Sequence, residues 1–261
     1  MNSLFLSLEN NLKKTLSTEE WNKLIYTSDL NYVHSDKIFL SAVFESNKKY
    51  NLNFNSDQLT YLIENSNLKH LNINKESPFF HAIINNSSQN LNLTTENFDF
   101  LLKNSDISNT SFFLNAFMHT CAFYKSQKIH FNYNQWDYLL KNTDLNYYDE
   151  DKWNSLMWFF LSEDLYLHED HIDYLIYNSN LQHFDSFNDN SLMYALAYSE
   201  NILNNKQWNY LIDNSDKNFI NKDMYTPLMF ALKYKHKLNL THEHLSKLKL
   251  KEKKYNFYSK P

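Results

Sequence analysis

The sequence predicts an all-α fold, a curved solenoid of seven helix-turn-helix repeats. Three observations predict it. An apolar anchor recurs as Trp21, Leu59, Phe98, Trp136, Ile172, Trp208 and Leu245, at spacings of 38, 39, 38, 36, 36 and 37 residues. The same helix-start pattern stands before every anchor. Apolar residues follow three and four positions after it, which places them on the anchor's own helical face. A fixed period of roughly 20–50 residues marks units that bury their apolar faces only against neighbours.

The helix carrying the anchor is the more regular of each pair. Five residues before the anchor stands Leu16, Phe54, Leu93, Phe131, Leu167, Leu203 or Leu240. Four before it stands Ser17, Asn55, Thr94, Asn132, His168, Asn204 or Thr241, each placed to act as N-cap. Ser17/Glu20, Asn55/Gln58, Asn132/Gln135 and Asn204/Gln207 complete capping boxes, and the preceding apolar residue staples onto the anchor. The pairs Leu24/Ile25, Leu62/Ile63, Leu101/Leu102, Leu139/Leu140, Leu175/Ile176 and Leu211/Ile212 extend the buried stripe, whereas the last unit has Leu248 followed by Lys249. Asn65, Asn104, Asn142, Asn178 and Asn214 end these helices, with Thr27 in the first. In a chain without glycine, Asn is the residue expected to supply a left-handed helix end.

The other helix is signalled by Thr226-Pro227-Leu228-Met229, with Pro at the first helical position. Ser77-Pro78-Phe79-Phe80, Asn154-Ser155-Leu156-Met157, Asn190-Ser191-Leu192-Met193 and Asn2-Ser3-Leu4-Phe5 align with it, and Ser111 begins a weaker version. An alanine column (Ala42, Ala82, Ala116, Ala195, Ala231), broken at Phe159, predicts close helix contact. The units span about 2–30, 38–68, 77–107, 111–145, 154–181, 190–216 and 226–250 of a single domain, followed by a basic C-terminal tail at 251–261.

The Thr226-Pro227-Leu228-Met229 stretch, the Leu-Ile helix and the Ser28-Asp29-Leu30-Asn31 corner resemble ankyrin repeats. The likeness covers the whole chain but is degenerate. The period exceeds the usual one of about 33 residues, Met229 stands where the family has His, and the turn glycines are absent. Irregular or short turns are therefore expected in place of β-hairpin fingers. The resemblance implies protein–protein binding without catalysis. The degenerate form looks like repeat proteins of AT-rich, host-associated bacteria, and lysine as the sole strong base beside abundant Asn fits such a genome. A host-directed bacterial effector is one form of this scaffold reading.

Composition narrows the partners. All 25 strongly basic residues are Lys and the net charge is −5. Nucleic-acid backbones favour a basic stripe and Arg forks, so a nucleic-acid partner is not expected. No apolar run approaches the roughly 18 residues of a membrane span, and Met1 to Lys14 does not read as a signal peptide. Cys121 is the one cysteine, compatible with a reducing compartment. The expectation is a cytoplasmic monomer (host-cytosolic if it is an effector) that binds another protein and carries no cofactor, metal or catalytic residue.

The candidate partner-binding residues are Tyr147, Tyr148, Asp149, Trp153, Tyr198, Tyr225 and Tyr234. The first four belong to the acidic and aromatic turn 146–153, and exposed Tyr and Trp make good binding anchors. The bland alternative is that Tyr147 and Trp153 tuck onto the neighbouring turn. The last three, with Trp153, fall where ankyrin-like geometry places the concave side. Tyr61, Phe100, Tyr138, Tyr174 and Tyr210, two after each anchor, read as packing between units. An enzyme or metal-dependent module would use His119/Cys121 or His168/His171. Against it, His168 and His171 fall on the cap and box columns, and Cys121 lies late in a helix where a small apolar residue is useful. A purely structural, assembling protein is a third possibility.

Overall fold

The computed structural model describes residues 3–9, 16–34, 37–50, 52, 54–86, 91, 93–111, 113–127, 130–162 and 165–249. The basic tail at 251–261 and the cap position Asn2 lie outside these residues. Among the described residues the protein is all-helical apart from one two-residue antiparallel hairpin, β1 (Val33–His34) with β2 (Lys37–Ile38). The first helices are α1 (Ser3–Glu9), α3 (Phe39–Tyr50), α5 (Pro78–Asn85), α7 (Ala116–Gln127), α9 (Ser155–Leu161), α11 (Ser191–Tyr198) and α13 (Pro227–Tyr234). They alternate with the anchor-bearing helices α2 (Thr18–Thr27), α4 (Ser56–Asn65), α6 (Thr95–Asn104), α8 (Tyr133–Lys141), α10 (Glu169–Asn178), α12 (Asn205–Asn214) and α14 (His242–Leu248). Each odd-numbered helix packs on the next odd one, and each even-numbered helix on the next even one. The chain thus forms two helical layers with one apolar core from Leu4 to Leu248 between them.

The helix-start grammar explains the even layer. All four expected capping boxes form, and Thr94/Asn97 and Thr241/His244 form two more. His168 caps α10 more weakly, its Nδ1 accepting from the Asp170 N–H at 3.4 Å. The box amides do a second job. While Oε1 of Gln58 accepts from its own N-cap, its Nε2 donates to Asn22 Oδ1 of the previous helix at 2.8 Å. Asn97 reaches Thr60, Gln135 reaches the Thr95 carbonyl and Gln207 reaches Asp173 in the same way. One buried side chain therefore caps a helix and ties it to its neighbour. Gln135→Ala, removing both bonds at a fully buried site, is expected to cost about 2 kcal/mol. Denaturant titration measures this, and a loss under about 0.5 kcal/mol would show the amide bridge to be idle.

The staples and anchors pack between units as well as within them. Phe131 lies 5.2 Å from its own anchor Trp136 and 5.4 Å from Phe98 of the preceding unit. Tyr61, Phe100, Tyr138, Tyr174 and Tyr210 pack half-buried against the core, as the sequence suggests.

Two details differ from the sequence expectation. Asn65, Asn104, Asn142, Asn178 and Asn214 do not close their helices in the left-handed region, where none of them lies. Each side-chain Nδ2 instead donates to the carbonyl four residues earlier, on Tyr61, Phe100, Tyr138, Tyr174 and Tyr210. The side chain satisfies an orphan carbonyl, so the backbone leaves the helix in an extended conformation with no left-handed residue. The corner that follows is an Asx turn in six units. The carboxylate or amide of Asp29, Asn67, Asp106, Asp144, Asn180 and Asp216 accepts from the N–H two residues on.

The second difference concerns α7. Ser111 does not begin it. The helix opens at Ala116, and Asn115 caps it by accepting from the Met118 N–H. Thr120, not Ala116, then occupies the alanine column. It is fully buried because its hydroxyl donates back to the Ala116 carbonyl. Asn115 also closes its own helix pair, its Nδ2 donating to the Asp144 carbonyl at the far corner. Asn190 does the same to Asp216.

Candidate functional site

The site is built on turns between helix pairs. The segments 72–76, 149–153, 185–189 and 221–225 share one geometry. The N–H of the first residue donates to the carbonyl of the fifth, and the N–H of the fourth returns to the carbonyl of the first. The fourth residue is left-handed in each: Lys75 (φ 61°), Lys152 (φ 63°), Asn188 (φ 64°) and Met224 (φ 65°). These are tight, short turns, the second of the two forms expected in place of β-hairpin fingers. A side chain at positive φ costs about 1–2 kcal/mol. The first residue offsets this. Asn72, Asp149, Asp185 and Asn221 each accept the fifth N–H on Oδ1, at 2.8–2.9 Å.

Neighbouring turns are joined. Trp153 Nε1 donates to Asp185 at 3.0 Å, Asn221 Nδ2 to Asp189 at 2.8 Å, and Ser111 Oγ to Glu76 at 2.6 Å. The Ser186 N–H reaches the Asp151 carbonyl, and the Lys222 N–H reaches Phe187. The following helix braces each turn through its fourth position. Trp158 donates to Asp149 at 2.8 Å and Tyr194 to Asp185 at 2.6 Å. His81 Nε2 lies 3.1 Å from Glu76, and His119 Nε2 lies 2.7 Å from the Ser111 carbonyl.

At the end of this ladder, between α11 and α13, lies an open cleft of about 210 Å3. Tyr194, Tyr198, Tyr225, Phe230 and Tyr234 give it aromatic walls, and Asp189 and Asp223 line it with Lys233. Tyr198 is 52% exposed, so its ring is available at the mouth. Lys233 Nζ lies 5.2 Å from the Tyr225 ring and 5.1 Å from the Tyr234 ring. Burial raises the Asp189 carboxyl above the usual range, against the hydrogen bond from Asn221 and with the charges of Asp185 and Asp223 adding to the rise. Burial and the bond to Asp185 push the Tyr194 phenol far up, so it stays a donor.

Of the expected binding residues, Tyr198, Tyr225 and Tyr234 meet in this cleft. Trp153 stands one ring behind, edge-on to Tyr194 at 5.9 Å. Asp149 is occupied in holding the Trp153 N–H and the Trp158 indole, and burial raises its carboxyl. Tyr148 stacks flat on His183 at 3.7 Å and its hydroxyl accepts from Asn180. Tyr147 is half-buried and outside the cleft lining. The 146–153 segment therefore tucks Tyr148 and Trp153 onto the next turn. Tyr194, Phe230, Asp189 and Lys233 are the residues that sequence reasoning missed. The readable signal is the position four after the cap, a ring in each of the last five units: His81, His119, Trp158, Tyr194 and Phe230.

The His and Cys candidates have structural occupations. His119 braces its own turn, edge-on to Phe80 and stacked on Phe123, and burial pushes it down to about 4. Burial raises the Cys121 thiol far above its ordinary value, away from the nucleophilic thiolate. His168 is an exposed cap. His171 is buried against Tyr133 at 4.3 Å, and burial lowers its pKa. Among the described residues no three His, Cys, Asp or Glu side chains are placed to hold a metal, and no helix is long and apolar enough to cross a membrane.

A wider groove of about 690 Å3 runs over α4, α6 and α8. Its lining mixes polar and apolar side chains, and part of it is already engaged: Thr94, Asn97 and Asn132 belong to capping boxes, and Lys103 pairs with Asp99 at 2.7 Å. The aromatic cleft is the candidate site because three of the expected binding residues, Tyr198, Tyr225 and Tyr234, line it. No protein-family model matches the sequence, and no curated protein is similar to it.

Proposed function

We propose that this chain is a curved solenoid of seven ankyrin-like units that acts as an interaction scaffold, binding another protein through its concave face and turn tips. One observation carries the proposal: three tyrosines from successive first helices and turns, Tyr198, Tyr225 and Tyr234, converge on one open cleft. Tyrosine offers a large contact area with little rotamer entropy to lose, which is why it concentrates at binding hot spots. The alternating helix layers and the hydrogen-bonded turns support it by presenting that surface on a braced frame. Within this reading the chain works as a cytosolic monomer, or in a host cytosol as a bacterial effector. Its partner is a protein rather than nucleic acid or membrane, in keeping with the net charge of −5.

A pull-down from the native cell with the full chain tests this. Tyr198→Ala plus Tyr234→Ala removes rings that are not fully buried. It is expected to lower partner recovery about tenfold while leaving the helical circular dichroism unchanged. Trp153→Ala is a poorer probe because Trp153 links two turns. Undiminished recovery by the double variant moves binding off this cleft.

A further inference from the structure

We infer that the cleft between α11 and α13 receives a lysine side chain of the partner protein, in the place held here by the chain's own Lys233, and that the docking segment is therefore basic. This rests on the scaffold reading and goes beyond it by stating the chemistry of the occupant.

The first support is geometric. Lys233 Nζ lies over two tyrosine rings, 5.2 Å from Tyr225 and 5.1 Å from Tyr234. Both distances are within the roughly 6 Å at which a ring's quadrupole attracts a cation. The cleft already accommodates an ammonium group, supplied by an exposed and exchangeable side chain. The second support is the opposing lining. Asp189 and Asp223 border the same cleft, with Asp185 close behind. The donors reaching the side chains of Asp185 and Asp189 are neutral: the Trp153 indole, the Tyr194 hydroxyl, the Asn221 amide and backbone N–H groups. The ion pairs among the described residues use other carboxylates. Two carboxylates, Asp189 and Asp223, thus border one aromatic cleft without an ion pair among the described residues, and the buried Asp185 lies behind them. Burial first, and then the charges of Asp185 and Asp223, raise the Asp189 carboxyl. An acidic or phosphorylated segment would meet like charge there. An apolar segment would bury Asp189 further with nothing to neutralise it. An incoming ammonium gains the ring faces in a cleft that Asp189 and Asp223 make acidic, and displaces only Lys233 into water.

The test uses the full chain and dye-labelled heptapeptides, Ser-Gly-Ser-Lys-Ser-Gly-Ser and its counterparts with Glu or norleucine in the centre, followed by fluorescence anisotropy. The lysine peptide is expected to bind about tenfold more tightly than the glutamate peptide at low salt. Lys233→Ala, which removes the resident competitor from an exposed position, is expected to tighten the lysine peptide about threefold, and Asp189→Asn to weaken it about threefold. Equal or tighter binding of the glutamate or norleucine peptide, or weaker lysine binding by Lys233→Ala, overturns the inference. So does a gain in lysine-peptide affinity that appears only when residues 251–261 are removed, because the occupant is then the chain's own tail. If the native partner is still captured while the lysine peptide fails, only the lysine assignment falls. If no partner is captured at all, the scaffold reading falls with it.

Discussion

Trp208→Ala is expected to destabilise the protein by about 3–5 kcal/mol, the range for truncating a fully buried aromatic side chain. Trp208 is fully buried in α12, with no exposed surface. Its Nε1 donates to Asn239 Oδ1 at 2.8 Å, and Asn239 in turn donates to the Leu203 carbonyl at 2.7 Å. Truncation would therefore leave a cavity and strip a partner from the loop that leads into α14. Because α12 packs on α10 and α14, the damage should stay local. Amide exchange is expected to rise in α12, α13 and α14 while α2 and α4 keep their protection. Denaturant titration gives the magnitude, and exchange gives the range. A uniform rise from α2 to α14 would show that the helix pairs are coupled over the whole chain rather than pair by pair.

What could be read in the sequence follows from how far each interaction reaches along it. A capping box closes within four residues, so its four strongest instances were visible in spelling alone. Thr94/Asn97 and Thr241/His244 use less usual acceptors and became visible only with coordinates. The second role of Gln58 and Gln207, donating to the preceding helix 34–36 residues earlier, leaves no local trace. The terminal asparagines were noticed but given the wrong geometry, because two mechanisms, a left-handed backbone and a side-chain donor, select the same residue. The turns are short, one of the two forms expected, but their shared geometry is not legible because their left-handed position holds Lys, Lys, Asn and Met. The conformation is secured by the Asx side chain three residues earlier, not by the residue that adopts it. Tyr198, Tyr225 and Tyr234 follow from the resemblance to ankyrin geometry, and the structure places all three in one cleft. Lys233 was not, since a lysine on a helix ordinarily reads as a solvated side chain.

Acid should destabilise this protein in two stages, the lower one set by Glu76 and the upper one led by His119. Glu76 is 2% exposed. Burial alone would raise its pKa, but hydrogen bonds from His81, Ser111 and Asn72 outweigh that and hold it at about 2, below the ordinary 4.5. A carboxylate with a depressed folded-state value contributes stability above its unfolded value. It loses that stability as the pH falls towards the folded one. Glu76 therefore supplies about 3 kcal/mol that disappears between about pH 4.5 and 2. His119 is depressed from 6.5 to about 4, by burial first, against the bond to the Ser111 carbonyl. Below about pH 6.5 the unfolded chain takes up a proton that the folded chain refuses, so His119 costs a further sum of about 3 kcal/mol between about pH 6.5 and 4. His171 and His244, also lowered by burial, add to this upper stage. His119→Phe keeps the ring between Phe80 and Phe123 but abandons the Ser111 carbonyl, so it should cost about 1–2 kcal/mol at pH 7. It should also reduce the slope of stability against pH between 6.5 and 4.5 by one proton. Glu76→Gln should cost about 2–3 kcal/mol at pH 7, because its amide confronts the Asn72 donor. Its lower stage, between about pH 4.5 and 2, should flatten while the upper one persists. Urea titrations at half-unit pH steps separate the two stages. If both variants keep the wild-type slope throughout, the buried Glu76–His81–Ser111–His119 group is not what ties the turns to the first helices.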